Sequence, residues 1–201
     1  PASLARMPAL RSLNLSHTGL ETLPFEIANA TQVKTLDLTA TPVNTNLNWS
    51  HKNLVAMPST DSIFYETFSN SLNVFDISNN PLLGDAILSR LCRLTNLRAL
   101  NVSFVSLTIL GSNGCNLLED FPLLKHLDAE GNNISQLVIT ESSISRSISR
   151  ASLLQNAYLE TILLDKVGNT AKHTRAYLEK FTLPLNTLRS IVLVGCSFQR
   201  S

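Results

Sequence analysis

The sequence predicts an α/β solenoid, in which short parallel strands stack turn upon turn into one sheet. Two observations support this fold class: one leucine-rich spacing recurs seven times in order, and apolar residues stand two apart at the centre of each copy. The chain has 201 residues, 44% of them hydrophobic, so it can bury a sizeable core. We therefore expect a single domain over residues 1–201, with about seven to eight turns. The chain starts without an initiator methionine or a signal peptide, so we expect this domain to belong to a longer protein.

The repeated spacing is LxxLxLxxNxL, and residues 124–134 (LKHLDAEGNNI) show it clearly. Its central apolar residues, Leu127 and Ala129, point to one side of an extended strand, while Asp128 between them points to the other. One such strand cannot bury its apolar side alone, so neighbouring copies must stack. The seven copies begin at the following residues: Leu10, Val33, Leu72, Leu97, Leu124, Leu159 and Leu188.

This spacing resembles that of the leucine-rich-repeat family over nearly the whole chain. The resemblance implies an arc with a parallel β-sheet on its concave face and irregular or short helical segments on its convex side. In that family the asparagine of the motif turns inward, and its side chain bonds to the backbone of adjacent turns. The resemblance implies this structural ladder role for the residues at the same position here: Thr18, Thr41, Asn80, Asn132 and Cys196.

Two long intervals interrupt the spacing. The second and third copies start 39 residues apart, and the fifth and sixth start 35 apart, which predicts insertions near residues 44–71 and 138–158. Each insertion is either a loop on the lateral or convex side or a protruding element that contacts a partner. In the second one, Ile144, Ile148 and Leu154 have a spacing that favours a short amphipathic helix.

The predicted concave face carries two rows of polar side chains. Acidic and amide residues form one row, and mostly basic residues form the other, about 4.8 Å from strand to strand. These rows either pair with each other and keep the sheet soluble, or they form a polar surface for a protein or peptide ligand. An apolar end at Leu163 and Val192 and an exposed aromatic anchor, Phe104, would suit the second interpretation. The remaining candidate ligand-binding residues are Asp37, Asp76, Asn101, Asp128, Arg98, Lys125 and His126.

Three cysteines are too few for a disulfide-built scaffold. Cys92 and Cys115 precede successive strands and could pair if the chain matures in an oxidising compartment, although their offsets from those strands differ. Asn-x-Ser/Thr triplets, the acceptor sites for N-linked sugars, begin at five asparagines. Two of them, Asn14 and Asn101, fall within strands, so the better glycosylation candidates are Asn29, Asn48 and Asn133.

The net charge of +1 argues against non-specific nucleic-acid binding, and no apolar run is long enough to span a membrane. The sequence shows no catalytic constellation, phosphate-binding loop or metal-ligand spacing, so we expect no enzyme activity, cofactor or metal. The leading hypothesis is a non-catalytic module that recognises a protein or peptide, either extracellular or at the cell surface. The alternatives are a structural subunit of a larger filament or coat, which would self-assemble, and a cytoplasmic signalling scaffold.

Overall fold

Short strands run through the whole chain in the computed structural model, which describes residues 2–112, 115–144, 148–156, 159–165, 171–194 and 196. Thirteen strands lie within these ranges: β1 (Ser12–Asn14), β2 (Thr35–Asp37), β3 (Asn46–Asn48), β4 (Val74–Asp76), β5 (Ala99–Asn101), β6 (Gly111–Ser112), β7 (Cys115–Asn116), β8 (His126–Asp128), β9 (Gln136–Thr140), β10 (Arg150–Ser152), β11 (Thr161–Asp165), β12 (Phe181–Thr182) and β13 (Ser190–Val194).

The helices are also short, and they connect the strands. They are α1 (Phe25–Ala28), α2 (Ile63–Phe68), α3 (Leu88–Leu91), α4 (Glu141–Ile144) and α5 (Ala171–Leu178), together with three 3₁₀ segments, Ala2–Arg6, Pro42–Asn44 and Gly84–Ile87. Helix α2 buries Phe64 and Phe68 completely against the core. Tertiary packing rather than helix propensity stabilises helices of this length.

The strands form three separate parallel sheets and one small antiparallel pair, β6 with β7. β1 pairs with β2, six strands form a central sheet in the order β12-β10-β8-β5-β4-β3, and three form a sheet in the order β13-β11-β9. The prediction of a leucine-rich-repeat arc with one concave sheet is therefore wrong. The fold is an α/β arrangement around a six-stranded parallel sheet.

Each of the seven predicted copies contains a strand, but these strands are divided among the three sheets. The first two copies are β1 and β2, the next three are β4, β5 and β8 of the central sheet, and the last two are β11 and β13. After β8 the chain alternates, because β10 and β12 return to the central sheet while β9, β11 and β13 build the other one. The leucine spacing is the same in all three sheets, so it does not reveal which strands pair.

Both segments predicted as insertions supply a strand to the central sheet. Residues 44–71 contain β3 and α2, and residues 138–158 contain β10. The predicted amphipathic helix is reduced to α4, which ends at Ile144, while Ile148 is buried beyond it and Leu154 is exposed. Residues 145–147, which that prediction also covered, lie outside the described ranges.

One residue of each strand in the central sheet points into the core, namely the middle one in the three-residue strands and Phe181 in the two-residue β12. These buried residues stand in register across the sheet: Leu47, Phe75, Leu100, Leu127, Ala151 and Phe181. Beneath β3, Trp49 stacks on Phe64 with ring centroids 5.2 Å apart, and its indole N–H donates to the carbonyl of Leu23 at 2.6 Å. Since side chains alternate along a strand, the residues on either side of each middle residue face away from this core.

Three buried asparagines tie neighbouring turns of the chain together. Asn132 accepts hydrogen bonds from the N–H groups of Val105 and Leu107 in the preceding turn, and it donates to carbonyls of both turns. Asn80 makes the same set of bonds two turns earlier in the chain. Asn156, after β10, accepts one such N–H, from Ile134, and donates to the carbonyls of Ala129 and Leu153. It was not predicted because Ala151 replaces the expected leucine. Such side chains satisfy backbone groups that burial removes from water.

Two of the other residues predicted at ladder positions, Thr18 and Thr41, show no hydrogen bond from their side chains to a neighbouring turn among the described contacts. The hydroxyl of Thr18 donates to Leu15 at 2.7 Å and that of Thr41 to Leu38 at 2.5 Å, so both bonds stay within one turn. Thr41 is buried, whereas Thr18 is exposed. Cys196 is half-buried at the edge of the core. Within the described ranges, the side chains of the first two copies therefore lack the cross-turn bonds that Asn80 and Asn132 make, and these copies form the small separate sheet.

Candidate functional site on the outer face of the central sheet

The outer face of the central sheet consists of two rows of side chains that point away from the core. One row is Asn46, Val74, Ala99, His126 and Arg150, and the other is Asn48, Asp76, Asn101, Asp128 and Ser152. A shallow depression of about 370 Å³ lies on this face over β4, β5, β8 and β10. Four residues predicted to bind a ligand meet there: Asp76, Asn101, Asp128 and His126.

The two carboxylates of the depression are held in fixed orientations. Oδ1 of Asp76 accepts the N–H of Ser78 at 2.9 Å, and Oδ1 of Asp128 accepts the N–H of Glu130 at 3.1 Å. Each bond spans two residues and closes a tight turn at the end of its strand. Within the described part of the chain, Oδ2 of neither carboxylate makes a hydrogen bond. The free oxygens are thus available to donors on a ligand, and the turn bonds orient them in advance.

An imidazole and several basic side chains lie on or directly before the same strands as these carboxylates or the strands adjacent to them, and none of them forms an ion pair with Asp76 or Asp128 among the described residues. His126 and Arg150 line the depression, whereas Arg98 and Lys125, which directly precede β5 and β8, are not among its lining residues, and all four are exposed. The two ion pairs found among the described residues lie elsewhere, joining Arg175 to Glu179 and Arg189 to Glu160. The face therefore presents both signs of charge to solvent, which suits charge-assisted hydrogen bonds to a ligand that also carries both.

Asp37 stands apart from this site. It lies on β2 in the two-stranded sheet, so the structure does not bring it together with Asp76 and Asp128. Two hydrogen bonds from Thr39 hold the pKa of Asp37 below its ordinary value, and the bond from the hydroxyl contributes more than the bond from the backbone N–H. Its side chain makes the same turn bond as the other two aspartates, with the Thr39 nitrogen 2.9 Å from Oδ1.

Phe104 is 39% exposed, and its ring covers Gly131. Both residues have positive φ angles, 54° for Phe104 and 62° for Gly131, and a side chain on Gly131 would collide with the phenyl ring. The same left-handed conformation occurs directly before Thr18, Thr41, Asn80, Asn132 and Asn156, at His17, Ala40, Asn79, Gly131 and Gln155. Phe104 therefore packs against its neighbour and offers a partner only the remaining part of its ring.

The predicted apolar end of the face lies elsewhere. Leu163 and Val192 belong to β11 and β13 of the three-stranded sheet, in which β11 pairs with both β9 and β13. In the central sheet Arg150 and Ser152 of β10 are instead the neighbours of His126 and Asp128, respectively. These two residues were not predicted as site residues because they fall in the segment predicted as an insertion. The spacing Ile148, Ala151, Leu153, Asn156 was the signal that could have found them.

Cys92 and Cys115 form a disulfide, with Cα atoms 5.8 Å apart. It links the end of α3 to β7, and a carboxylate oxygen of Asp120 lies 4.0 Å from the Cys92 sulfur. These three side chains are close enough to surround a metal ion. However, metals bind cysteine as the thiolate, and in this structure both sulfurs are occupied by the bond between them.

The three predicted glycosylation candidates differ in their surroundings. Asn48 and Asn133 are exposed, whereas Asn29 is half-buried at the end of α1. Oδ1 of Asn29 accepts the N–H of Ser59 at 2.7 Å, and Oδ1 of Asn48 accepts the N–H of Ser50 at 2.8 Å. The fold therefore uses the side chains of Asn29 and Asn48 as hydrogen-bond acceptors.

No protein-family model matches this sequence, and no curated protein does. The resemblance to the leucine-rich-repeat family therefore stays a prediction. Among the described residues, no helix is both long and apolar enough to cross a membrane.

Proposed function

We propose that this protein is a non-catalytic recognition module that binds a protein or peptide on the outer face of its central sheet. The observation that carries the proposal is the pair of oriented carboxylates, Asp76 and Asp128, each with a free Oδ2 among the described contacts. A rigid sheet holds both, so they lose little freedom when a partner binds.

The shape of the site favours an extended partner over a small molecule. The depression is open, and it crosses four parallel strands whose polar side chains recur about every 4.8 Å. A peptide lying across the strands could meet Asp76, Asp128 and Arg150 in succession. Because both signs of charge are exposed, complementary charges on the partner would speed association and set its orientation.

We further propose that the protein acts in the secretory pathway or at the cell surface. The Cys92–Cys115 disulfide supports this, because such bonds persist in oxidising compartments and are rare in the cytosol. This consideration favours the extracellular hypothesis over the cytoplasmic scaffold.

The test begins with peptides selected on the immobilised protein from a displayed random library. Their affinities are then compared for the native protein and for a variant with both Asp76→Asn and Asp128→Asn. Asparagine makes the same turn bond as aspartate, as Asn101 demonstrates at 3.0 Å, so this variant removes the charges and keeps the turns. We expect binding to weaken by about tenfold, equivalent to about 1.4 kcal/mol for one lost charge-assisted contact.

The matched control is Asp37→Asn, which removes the same charge from the same kind of turn in another sheet. Its affinity should equal that of the native protein. Raising the salt concentration should weaken binding to the native face, since exposed charges are screened. Unchanged affinity in both Asp76→Lys and Phe104→Ala would refute the choice of face.

A further inference from the structure

Three of the five acceptor triplets are explained by turn geometry. Asn14, Asn48 and Asn101 each end a strand, and Oδ1 of each accepts the N–H of the serine two residues later at 2.8, 2.8 and 3.0 Å. The hydroxyl of the same serine also donates to that oxygen, at 2.7 Å in all three. Both the asparagine and the serine of these triplets are therefore used in forming the turn.

Aspartate serves equally well at this position. Asp37, Asp76 and Asp128 occupy the corresponding place on β2, β4 and β8 and accept the same backbone N–H two residues on. The turn requires a side-chain oxygen, which asparagine and aspartate both supply. The Asn-x-Ser pattern at the other strand ends is thus a consequence of turn chemistry, and it carries no information about sugar attachment.

The fold also uses Asn29. Its Oδ1 accepts the N–H of Ser59 at 2.7 Å, which fastens the segment before α2 to the end of α1. The side chain is half-buried in this contact.

Asn133 differs from the other four asparagines, because the side chains of its triplet form no hydrogen bond that stabilises the fold among the described contacts. Asn133 and Ser135 are both exposed, and the side chain of neither makes a hydrogen bond within the described part of the chain. The backbone N–H of Asn133 donates to the carbonyl of Leu107 at 2.8 Å, so its position is fixed. Its buried neighbour Asn132 makes the structural bonds instead.

We propose that Asn133 is the N-glycosylation site of this protein and that the other four triplets are unmodified. In the transfer, Nδ2 of Asn133 forms a bond to C1 of the first sugar and loses a proton. The bond from C1 to the diphosphate of a lipid-linked oligosaccharide breaks, and the lipid diphosphate leaves. The proposal rests on the compartment assigned under the proposed function, since that donor is found in the secretory pathway.

The location fits a face that must stay accessible. Asn133 follows β8 in the connection to β9, and it is not among the residues that line the depression. A sugar on Asn101 would lie inside the depression, between the neighbouring strands of Asp76 and Asp128. Glycosylation at Asn133 would increase solubility and leave the outer face open.

The test uses the full chain secreted by a eukaryotic cell. The amide-linked sugars are removed enzymatically in heavy-oxygen water, which converts each occupied asparagine into labelled aspartate for peptide mass spectrometry. We expect the label at Asn133 and none at Asn14, Asn29, Asn48 or Asn101. Ser135→Ala should abolish the glycan, Ser135→Thr should retain it, and Asn48→Asp should leave the glycan mass unchanged.

An unmodified Asn133, a label at any other triplet, or a glycan that survives Ser135→Ala would each overturn the proposal. Peptide capture is measured on the same samples before and after sugar removal. Intact capture with an unmodified Asn133 would refute the glycosylation site alone, whereas loss of the predicted charge dependence would refute the proposed function alone.

Discussion

Replacing Asn132 by alanine removes a side chain that joins two neighbouring turns of the chain. Its Oδ1 accepts the N–H groups of Val105 and Leu107 at 3.1 and 3.0 Å, and its Nδ2 donates to the carbonyls of Val102 and Ala129 at 2.8 and 2.9 Å. Asn132 is only 2% exposed, so water cannot replace these bonds without opening the structure.

The magnitude follows from the groups left without partners. Val105 and Leu107 are fully buried, and an orphaned buried N–H costs about 1–3 kcal/mol. The carbonyl of Ala129 keeps a bond from Asn156 at 3.0 Å, so its contribution is small. We expect Asn132→Ala to lower the free energy of unfolding by about 3–5 kcal/mol.

The adjacent residue provides a matched control. Asn133 has the same side chain, is exposed, and makes no side-chain hydrogen bond among the described residues. Asn133→Ala should therefore change the free energy of unfolding by less than about 0.5 kcal/mol.

Urea unfolding followed by the fluorescence of Trp49 measures both variants. Trp49 is the only tryptophan of the chain and is 2% exposed, so its emission reports loss of the core. With a slope of about 2 kcal/mol per molar urea, the midpoint for Asn132→Ala should fall by about 2 M. Equal midpoints for the two variants would refute the cross-turn role of Asn132.

Three further predictions concern packing, covalent structure and pH. Gly131→Ala should destabilise the protein by about 1–3 kcal/mol because of its positive φ and the ring of Phe104, and thermal unfolding should show a smaller loss when Phe104→Ala is also present. Reducing the Cys92–Cys115 bond and alkylating both thiols should lower the unfolding free energy by about 3 kcal/mol, because the bond closes a loop of 23 residues. Urea unfolding of the alkylated protein measures this loss. Burial raises the pKa of Tyr65 to about 12 from the ordinary 10.0. The contribution of its protonated hydroxyl to stability is therefore complete below pH 10 and is lost as pH rises towards 12. Unfolding curves measured over a pH series should show a smaller decline for Tyr65→Phe.

The positions of strands could be predicted from the sequence, but their partners could not. Apolar residues two apart mark a strand wherever they occur, because side-chain alternation is a local property of extended backbone. Ile162 of β11 and Leu127 of β8 have the same local pattern, yet they lie in different sheets. Pairing depends on how the connecting segments pack, and this involves residues far apart in the chain.

Only part of the candidate site could be predicted from the sequence, because the leucine spacing marks some of its strands and not others. Asp76, Asn101, Asp128 and His126 lie on strands with clear leucine spacing, and they meet in the depression. The strand that carries Arg150 has alanine where leucine was expected, so Arg150 was not predicted. A small residue still serves at Ala151, since it is completely buried beside Leu127 and Phe181.

The interchange of asparagine and aspartate at strand ends separates the requirements of folding from those of recognition. Asn48 and Asn101 close the same turn as Asp76 and Asp128, so the turn has no need of a negative charge. Among the described contacts, the carboxylates of Asp76 and Asp128 have no ion-pair partner either. Their charge therefore contributes little to stability and acts mainly on whatever approaches the outer face. This is why substitution by asparagine, which keeps the turn bond and removes only the charge, separates binding from folding more cleanly than substitution by alanine.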